Sequence, residues 1–259
     1  MTQVRAKKYL GQHFLKDLEV ARRIAESLEL SGPATVLEIG PGTGVLTQFL
    51  LQNPNIDLTA VEVDWESVAY LHTHFPQLKV IEADFLKMDL KSLFPDKLYL
   101  IGNLPYNISS QIFFKMLENR DRIPQLVCMI QKEVAERMAA VHGNKTYGIL
   151  SVLMQAFYSI DYLFTVHEHV FDPPPKVKSA VIRLTRNEVN ELGCDEQLFK
   201  TVVKTAFNQR RKTMRNSLKP LVGKDHPMYA DVLFDKRPEQ LDVAAFIDLT
   251  NRVEQALKD

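Results

Sequence analysis

Short apolar runs alternate with amphipathic segments along the first part of the chain. The runs are Thr35–Ile39, Leu58–Val63, Leu78–Ile81, Leu98–Ile101 and Leu126–Ile130. Apolar residues at helical spacing occupy the intervals, and the first such segment follows Asp17, a residue suited to cap a helix. Strands that alternate with helices predict an α/β fold with a mostly parallel sheet covered on both faces.

The pattern changes towards the C-terminus. Two further strands are predicted near Tyr162–Val166 and Val177–Leu184, which gives a seven-stranded sheet. Between them, the proline-rich segment 171–175 cannot be helical. From Asp195 onward only helical periodicity is present. We therefore predict a sheet-containing domain over residues 1–188 and a small all-helical domain over residues 189–259.

Composition narrows the class of protein. The 32 Lys and Arg residues equal the 32 Asp and Glu residues in number, so any binding of nucleic acid has to come from local basic patches. Cys128 and Cys194 lie far apart and fit no metal or redox spacing. The histidine pairs at 72/74 and 167/169 lack a third ligand nearby, so we predict no metal.

The polar N-terminal residues 1–8 lack the apolar segment of a signal peptide. No apolar run approaches the length that spans a membrane. We therefore expect a reduced, cytoplasmic protein with no membrane partner.

A glycine-rich loop follows the first predicted strand. Gly40, Gly42 and Gly44 have the spacing G-x-G-x-G behind the acidic residue Glu38, and Glu62, which suits ribose hydroxyls, ends the next strand. A dinucleotide fingerprint would require a small residue at Val45. Acids at strand ends also attract a cationic ligand and repel a pyrophosphate. The pattern favours S-adenosylmethionine over NAD.

Two further strand ends carry candidate ligand contacts. Asp84 could accept a hydrogen bond from an adenine amino group, or it could simply cap the next helix. The tetrapeptide Asn103-Leu104-Pro105-Tyr106 combines an amide, a carbonyl directed by the following proline and an aromatic face. Such a set can hold a planar ring that bears an exocyclic amine, although a plain turn is the alternative.

The chain resembles the ribosomal RNA adenine dimethyltransferase family, specifically its small-subunit housekeeping branch. The matching motifs are Gly11-Gln12-His13-Phe14-Leu15, the glycine loop, Val61-Glu62-Val63-Asp64, Asp84, Asn103-Leu104-Pro105-Tyr106-Asn107-Ile108-Ser109, Gln131-Lys132-Glu133-Val134-Ala135, Phe171-Asp172-Pro173-Pro174-Pro175-Lys176-Val177 and Phe207-Asn208-Gln209-Arg210-Arg211-Lys212-Thr213. The resemblance implies a Rossmann-like class I methyltransferase. Such an enzyme dimethylates the N6 amines of two adjacent adenosines in the 3′-terminal hairpin of small-subunit (16S) rRNA and takes part in small-subunit biogenesis.

The resemblance also implies roles for individual residues. Those expected at the cofactor are His13 and Leu15 at its methionine end, Gly40 along it, Glu62 at the ribose, Asp84 at the adenine and Asn103 beside the sulfonium. We hypothesise that the Asn103 oxygen and the Leu104 carbonyl accept hydrogen bonds from the N6 hydrogens of the target base. Tyr106 and Phe171 would sandwich that base, unless they are ordinary core aromatics.

A basic run lies in the predicted helical domain. Lys200, Lys204, Arg211 and Arg215 would form one stripe on a continuous helix. Together with Arg210 and Lys212, the residues Arg211 and Arg215 are the predicted RNA contacts, against the alternative of a solvated helix face. A second basic patch comprises Arg5, Lys7, Lys8 and Lys16.

Several functions stay open at this point. The alternatives are a large-subunit rRNA methyltransferase of the antibiotic-resistance type, a DNA adenine methyltransferase, and a ribosome-assembly factor that acts mainly by binding. The expected partner is small-subunit rRNA within an immature subunit, and a monomer is expected.

Overall fold

The computed structural model describes residues 4–259, so the first three residues of the polar N-terminus lie outside it. The chain forms two compact units. The first contains the residues up to Ala135 together with Ser159–Arg186, and the second contains Glu136–Tyr158 and Asn187–Asp259. The segment 136–158, assigned to the first domain from the sequence, packs with the C-terminal helices. The division into a catalytic and an RNA-binding domain remains a prediction.

Seven strands form the main sheet of the first unit, as predicted. The strands of the chain are β1 (Phe14–Leu15), β2 (Ala34–Ile39), β3 (Ile56–Glu62), β4 (Lys79–Glu82), β5 (Leu98–Asn103), β6 (Gln125–Gln131), β7 (Tyr158–Val166), β8 (Phe171–Asp172) and β9 (Ser179–Arg186). The sheet order is β4-β3-β2-β5-β6-β9-β7. Strands β2 to β6 run parallel to one another, whereas β9 is antiparallel to β6.

Strand order fixes where a ligand can bind. From β2 the chain first adds β3 and β4 on one side and then β5 and β6 on the other, so the order reverses between β2 and β5. Ligands bind at the carboxyl ends of strands beside such a switch point. At this point Gly102 of β5 lies so close to β2 that a Cβ atom on it would approach the Ile39 carbonyl oxygen to 2.5 Å. Glycine therefore allows β5 to deliver Asn103 directly beside β2.

Helices flank the sheet in the first unit and make up most of the second. They are α1 (Leu18–Glu26), α2 (Thr47–Leu50), α3 (Trp65–His74), α4 (Leu90–Leu93), α5 (Ser109–Glu118), α6 (Lys132–Ala139), α7 (Ile149–Gln155), α8 (Glu196–Asn208), α9 (Met214–Ser217), α10 (Lys219–Val222) and α11 (Val243–Ala256). The predicted cap is confirmed, since the Asp17 carboxylate accepts hydrogen bonds from the N–H groups of Glu19 and Val20. Within residues 4–259, no helix is both long enough and apolar enough to cross a membrane.

A two-stranded sheet, not predicted from the sequence, joins the N-terminal segment to the proline-rich segment. Strand β1 pairs antiparallel with β8, with Phe14 opposite Asp172 and Leu15 opposite Phe171. The Lys16 N–H donates to the Val170 carbonyl at 2.9 Å and extends the pairing. This small sheet fixes the residue that precedes it, His13, beside the carboxyl end of β5.

Candidate active site

A cleft opens at the carboxyl ends of β2, β3 and β5. Its lining residues are Leu10, Gly11, Gln12, His13, Phe14, Gly40, Gly42, Glu62, Val63, Asn103, Leu104, Pro105 and Tyr106. An adjoining cleft shares several of these and adds Leu15, Glu38, Thr43 and neighbouring apolar residues. The structure therefore brings together most of the site residues predicted from the sequence, although they come from four separate segments of the chain.

The glycine loop leaves room for a ligand. Gly40 lines both clefts with a φ of 66°, and a Cβ atom on it would meet no atom within 4 Å. Gly42 also has a positive φ, and a Cβ atom there would collide with the Phe14 ring at 2.8 Å. Glycine is required at Gly42 by packing, whereas at Gly40 the space beyond the backbone is open to a cofactor.

Glu62 presents its carboxylate from the end of β3. Oε2 accepts from the Gly42 N–H at 3.1 Å, and Oε1 accepts from the N–H groups of Val63 and Asp64, each at 2.9 Å. Burial raises the pKa of Glu62, and these backbone hydrogen bonds oppose that shift. A carboxylate has about four acceptor positions, so one remains unused on Oε2. The contact of Glu62 with a ribose remains a prediction, and hydrogen bonds from ribose hydroxyls to both oxygens would require one backbone bond to be exchanged.

Glu38 lies on the floor of the adjoining cleft. It is buried, and the Thr47 hydroxyl donates to its Oε2 at 2.7 Å. Burial raises the pKa of Glu38, the Thr47 hydrogen bond lowers it and the negative charge of Glu62 raises it, and together these bring it to about 8. A cationic ligand above this carboxyl would favour its ionised form.

The Asn103 amide is oriented by the N-terminal segment. Its Nδ2 donates to the His13 carbonyl at 3.0 Å. Because a carbonyl can only accept, the NH₂ group must face it, and Oδ1 is left towards the cleft with no donor among residues 4–259. The Leu104 N–H donates to the Met129 carbonyl, while the Leu104 carbonyl likewise receives no hydrogen bond from the described residues. Asn103 and Leu104 thus each carry an acceptor that no described residue uses beside the cleft, although Leu104 is only 1% exposed and its carbonyl is almost covered.

Two contacts hold the Tyr106 side chain, one on a face of its ring and one at its hydroxyl. Its ring stacks on the His13 imidazole with centroids 5.5 Å apart and planes at 29°. Its hydroxyl lies 2.5 Å from Ser179 Oγ, and burial raises the pKa of this phenol. His13 is itself fixed, since its Nδ1 contacts the Pro173 carbonyl at 2.8 Å.

Two predicted site residues do not line either cleft in this structure. The Asp84 carboxylate accepts from the Leu86 N–H at 2.9 Å and caps the short 3-10 turn Phe85–Lys87, the alternative considered from the sequence. Phe171 is only 1% exposed and packs in the apolar core with Leu15 and Val170. Their roles at adenine rings remain predictions, and stacking by Phe171 requires its ring to leave this position.

A polar cluster around Asp64 was missed by sequence reasoning. Its buried carboxylate accepts from Lys7 Nζ and from Gln12 Nε2, the latter at 3.2 Å, and also from the Glu66 N–H and the Ser67 hydroxyl. Burial favours the neutral acid, but these hydrogen bonds outweigh it and lower the pKa of Asp64. The cluster ties residues 7–12, part of the cleft wall, to the start of α3. Lys7, Gln12 and Asp64 each belong to a motif or patch noted in the sequence, but no local pattern indicated that they meet.

The basic residues of the second unit do not lie on one helix. Helix α8 ends at Asn208, so the predicted continuous stripe through Lys200, Lys204, Arg211 and Arg215 is wrong. The Met214 N–H pairs with the Lys236 carbonyl, and this tertiary contact starts the separate short helix α9.

These basic side chains differ in whether they already have partners within the protein. Arg210 contacts the Asn144 carbonyl at 3.4 Å and Glu239 at 4.0 Å, and Arg215 pairs with Asp235 at 2.6 Å. Arg211 and Lys212 are exposed and have no side-chain partner among residues 4–259. Their contacts with RNA remain predictions.

Known proteins share this architecture. The chain is 65% identical over 261 residues to a ribosomal RNA small subunit methyltransferase A from Bacteroides thetaiotaomicron, covering 100% of this chain and 97% of the relative. A solved dimethyladenosine transferase from Plasmodium falciparum superposes with a TM-score of 0.79 at 27% identity, covering 94% and 98% of the two chains. The 23S rRNA methyltransferase ErmE superposes with a TM-score of 0.70 at 25% identity, covering 93% and 100%.

Fold and cleft define an α/β methyltransferase that uses S-adenosylmethionine. The family model for ribosomal RNA adenine dimethylase matches residues 3–255. The chain belongs to this family, and it is an rRNA adenine N6-dimethyltransferase.

Proposed function

We propose that this enzyme dimethylates the N6 amines of two adjacent adenosines in the 3′-terminal hairpin of small-subunit rRNA. The observation that carries the proposal is the pair of acceptors that no described residue uses, Asn103 Oδ1 and the Leu104 carbonyl, beside the cleft that the glycine loop lines. An exocyclic adenine amine offers two hydrogens to such a pair. The relative from Bacteroides thetaiotaomicron, named for the small subunit, supports the choice of rRNA.

The residues present fit S-adenosylmethionine. Gly40 leaves open space beside its backbone, Glu62 keeps one acceptor position for a ribose hydroxyl, and the carboxylate of Glu62, joined by Glu38 once it ionises, favours a cation. His13 and Leu15 line the clefts on the side proposed for the methionine end, and Asp84 follows β4 on the side proposed for adenine. The cofactor supplies an electrophilic methyl group on a sulfonium sulfur.

The protein's contribution to chemistry is alignment of the amine. Its lone pair is delocalised into the purine and is a poor nucleophile. Hydrogen bonds from N6 to Asn103 Oδ1 and to the Leu104 carbonyl favour a pyramidal nitrogen whose lone pair points to the methyl group. The same two dipoles stabilise the positive charge that develops on N6. Once alkylated, the nitrogen is acidic and releases its proton without a strong base.

The target base has to leave its helix to reach the cleft. Tyr106 offers a ring at the rim for stacking, which contributes about 1–3 kcal/mol per base. Phe171 would stack on the other face of the target base after its ring moves out of the core. Arg211 and Lys212 would neutralise phosphates, with Arg210 and Arg215 in support after exchanging their present partners.

The proposed setting follows from the substrate. Small-subunit rRNA within an immature subunit is the partner, the protein works as a monomer in the cytoplasm, and it contributes to small-subunit biogenesis.

A second candidate function is methylation of large-subunit rRNA, which the similarity to ErmE favours. A third is assembly by binding alone, for which the exposed Arg211 and Lys212 would suffice.

The deciding experiment is transfer of labelled methyl groups. Purified protein is incubated with labelled S-adenosylmethionine and with unmethylated small or large subunits, and the label is mapped by nuclease digestion. We expect label only on two adjacent adenosines of the small-subunit rRNA. Label on large-subunit rRNA would support the second candidate, and binding to subunits without label would support the third.

A further inference from the structure

The Tyr106 hydroxyl contacts a residue that plays no part in the proposed chemistry. Ser179 lies 73 positions further along the chain, and its Oγ is 2.5 Å from the phenolic oxygen. Ser179 is fully buried at the first position of β9, where it pairs in register with Gln131 of β6. Among residues 4–259 no other side chain or backbone group hydrogen-bonds to its hydroxyl.

This contact joins a loop to the interior of the sheet. Tyr106 stands in the loop between β5 and α5, and loop side chains are mobile unless something holds them. Strand β9, by contrast, is paired on both sides, with β6 and β7. A buried hydroxyl also needs a hydrogen-bond partner, so the Ser179–Tyr106 pair is costly to break from either side. Ser179 therefore provides a fixed hydrogen-bond partner for the Tyr106 hydroxyl.

The ring has a second constraint. The His13 imidazole covers one face, and the Pro173 carbonyl holds His13 through Nδ1. With the tip fixed by Ser179 and one face covered, the plane of the phenol ring is set relative to Asn103. A base can stack only on the remaining face.

We propose that Ser179 is a positioning residue for adenine methylation: its hydroxyl sets the plane of the Tyr106 ring on which the target base stacks. This inference rests on the proposed function. A misplaced base loses near-attack geometry, and a shift of about 1 Å costs about 10²-fold in rate. The effect of Ser179 should therefore fall on kcat and on base positioning, and binding of S-adenosylmethionine should be unaffected.

A double-mutant cycle tests the proposal. The full-length chain is compared with Ser179→Ala, Tyr106→Phe and the double variant, with unmethylated small subunits as substrate. The affinity and stoichiometry of S-adenosylmethionine binding are measured by calorimetry, and kcat is expressed per binding site so that loss of folded protein is not counted. Ser151→Ala is the matched control, because Ser151 is also fully buried and its hydroxyl donates to the Arg137 carbonyl in the second unit.

We expect kcat to fall by about tenfold in each single variant and no further in the double variant, with cofactor affinity within about twofold. Ser151→Ala should keep its kcat. Normal kcat in Ser179→Ala, or losses that multiply in the double variant, would overturn the proposal. If Ser179→Ala does not fold, Tyr106→Phe tests the proposal, because it keeps the ring and removes only the contact with Ser179. Normal kcat in Tyr106→Phe would also refute the positioning role of Ser179.

Failure of this inference is distinguishable from failure of the proposed function. Asn103→Ala is measured in the same assay. An inactive Asn103→Ala beside a fully active Ser179→Ala rejects the positioning role alone. Methylation by Asn103→Ala at the normal rate rejects the proposed mechanism, and the role of Ser179 falls with it.

Discussion

The side-chain amide of Asn103 donates to the backbone carbonyl of His13 at 3.0 Å, across 90 positions of sequence. This one hydrogen bond determines which end of the amide faces the cleft. It also links the N-terminal segment, which is paired to the proline-rich segment through β1 and β8, to the carboxyl end of β5. Several consequences of this arrangement can be measured.

Removing the Asn103 amide should abolish methyl transfer without abolishing cofactor binding. In Asn103→Ala, N6 loses one of its two acceptors and the lone pair is no longer directed. We expect kcat to fall by at least about 10²-fold and the dissociation constant of S-adenosylmethionine to change by only a few fold. Asn119→Ala is the control, because its amide also donates to a backbone carbonyl, that of Lys115, at 2.8 Å. Near-normal turnover by Asn103→Ala would contradict the assignment.

Stability should depend on pH through Glu38. Burial raises the pKa of Glu38 in the folded protein to about 8, above the ordinary value of 4.5 that applies in the unfolded chain. Between these values the folded state binds more protons than the unfolded state, so the contribution of Glu38 to the free energy of unfolding falls as pH rises. Glu38→Gln cannot ionise but can still accept from Thr47. We expect the stability of Glu38→Gln relative to the parent to increase from pH 5 to pH 8.

Urea unfolding at several pH values measures this difference. Glu26→Gln, at an exposed position of α1, provides the control and should follow the parent. A constant difference between Glu38→Gln and the parent across the window would show that Glu38 is ionised in the folded protein throughout.

The Lys7–Asp64 contact should matter for cofactor binding. Lys7 and Gln12 tie the segment that forms one wall of the cleft to the start of α3. Without this tie the segment has to be ordered when the cofactor binds, which costs affinity. We expect Lys7→Met to weaken S-adenosylmethionine binding by about tenfold. Lys79→Met removes the exposed Lys79–Asp57 pair at 3.1 Å and should leave the affinity unchanged. Equal losses of S-adenosylmethionine affinity in both variants would contradict a specific role of the Lys7–Asp64 contact in cofactor binding.

RNA affinity should depend on Arg211 and Lys212, which are exposed and have no side-chain partner among residues 4–259. Changing both Arg211 and Lys212 to Gln should weaken binding to small subunits and reduce the slope of log affinity against log salt by up to about 2. Lys91→Gln with Lys97→Gln removes the same charge from exposed positions of the first unit. Filter binding between low and moderate salt compares the two pairs. An unchanged slope in the Arg211 and Lys212 variant would remove these residues from the RNA interface.

The strands of the sheet could be predicted from local patterns. All seven were placed correctly, with ends displaced by at most four residues, because most of them contain a contiguous apolar run that is buried. Candidate residues at strand ends followed directly, since parallel strands deliver their carboxyl ends to one edge. Gly40, Glu62, Asn103 and Tyr106 indeed line one cleft.

Tertiary structure alone decided the orientation of those residues. The contacts of Asn103 with His13, of Tyr106 with Ser179 and of Lys7 with Asp64 join distant segments, and no local pattern specifies them. It also decided that α8 ends before Arg211 and that Phe171 lies in the core. Periodicity and propensity depend on neighbours in sequence, whereas side-chain direction depends on which groups compete for a buried position. The sequence by itself therefore determined the sheet and the functional groups available at its edge. Packing between remote segments determined how the side chains that carry those groups are oriented.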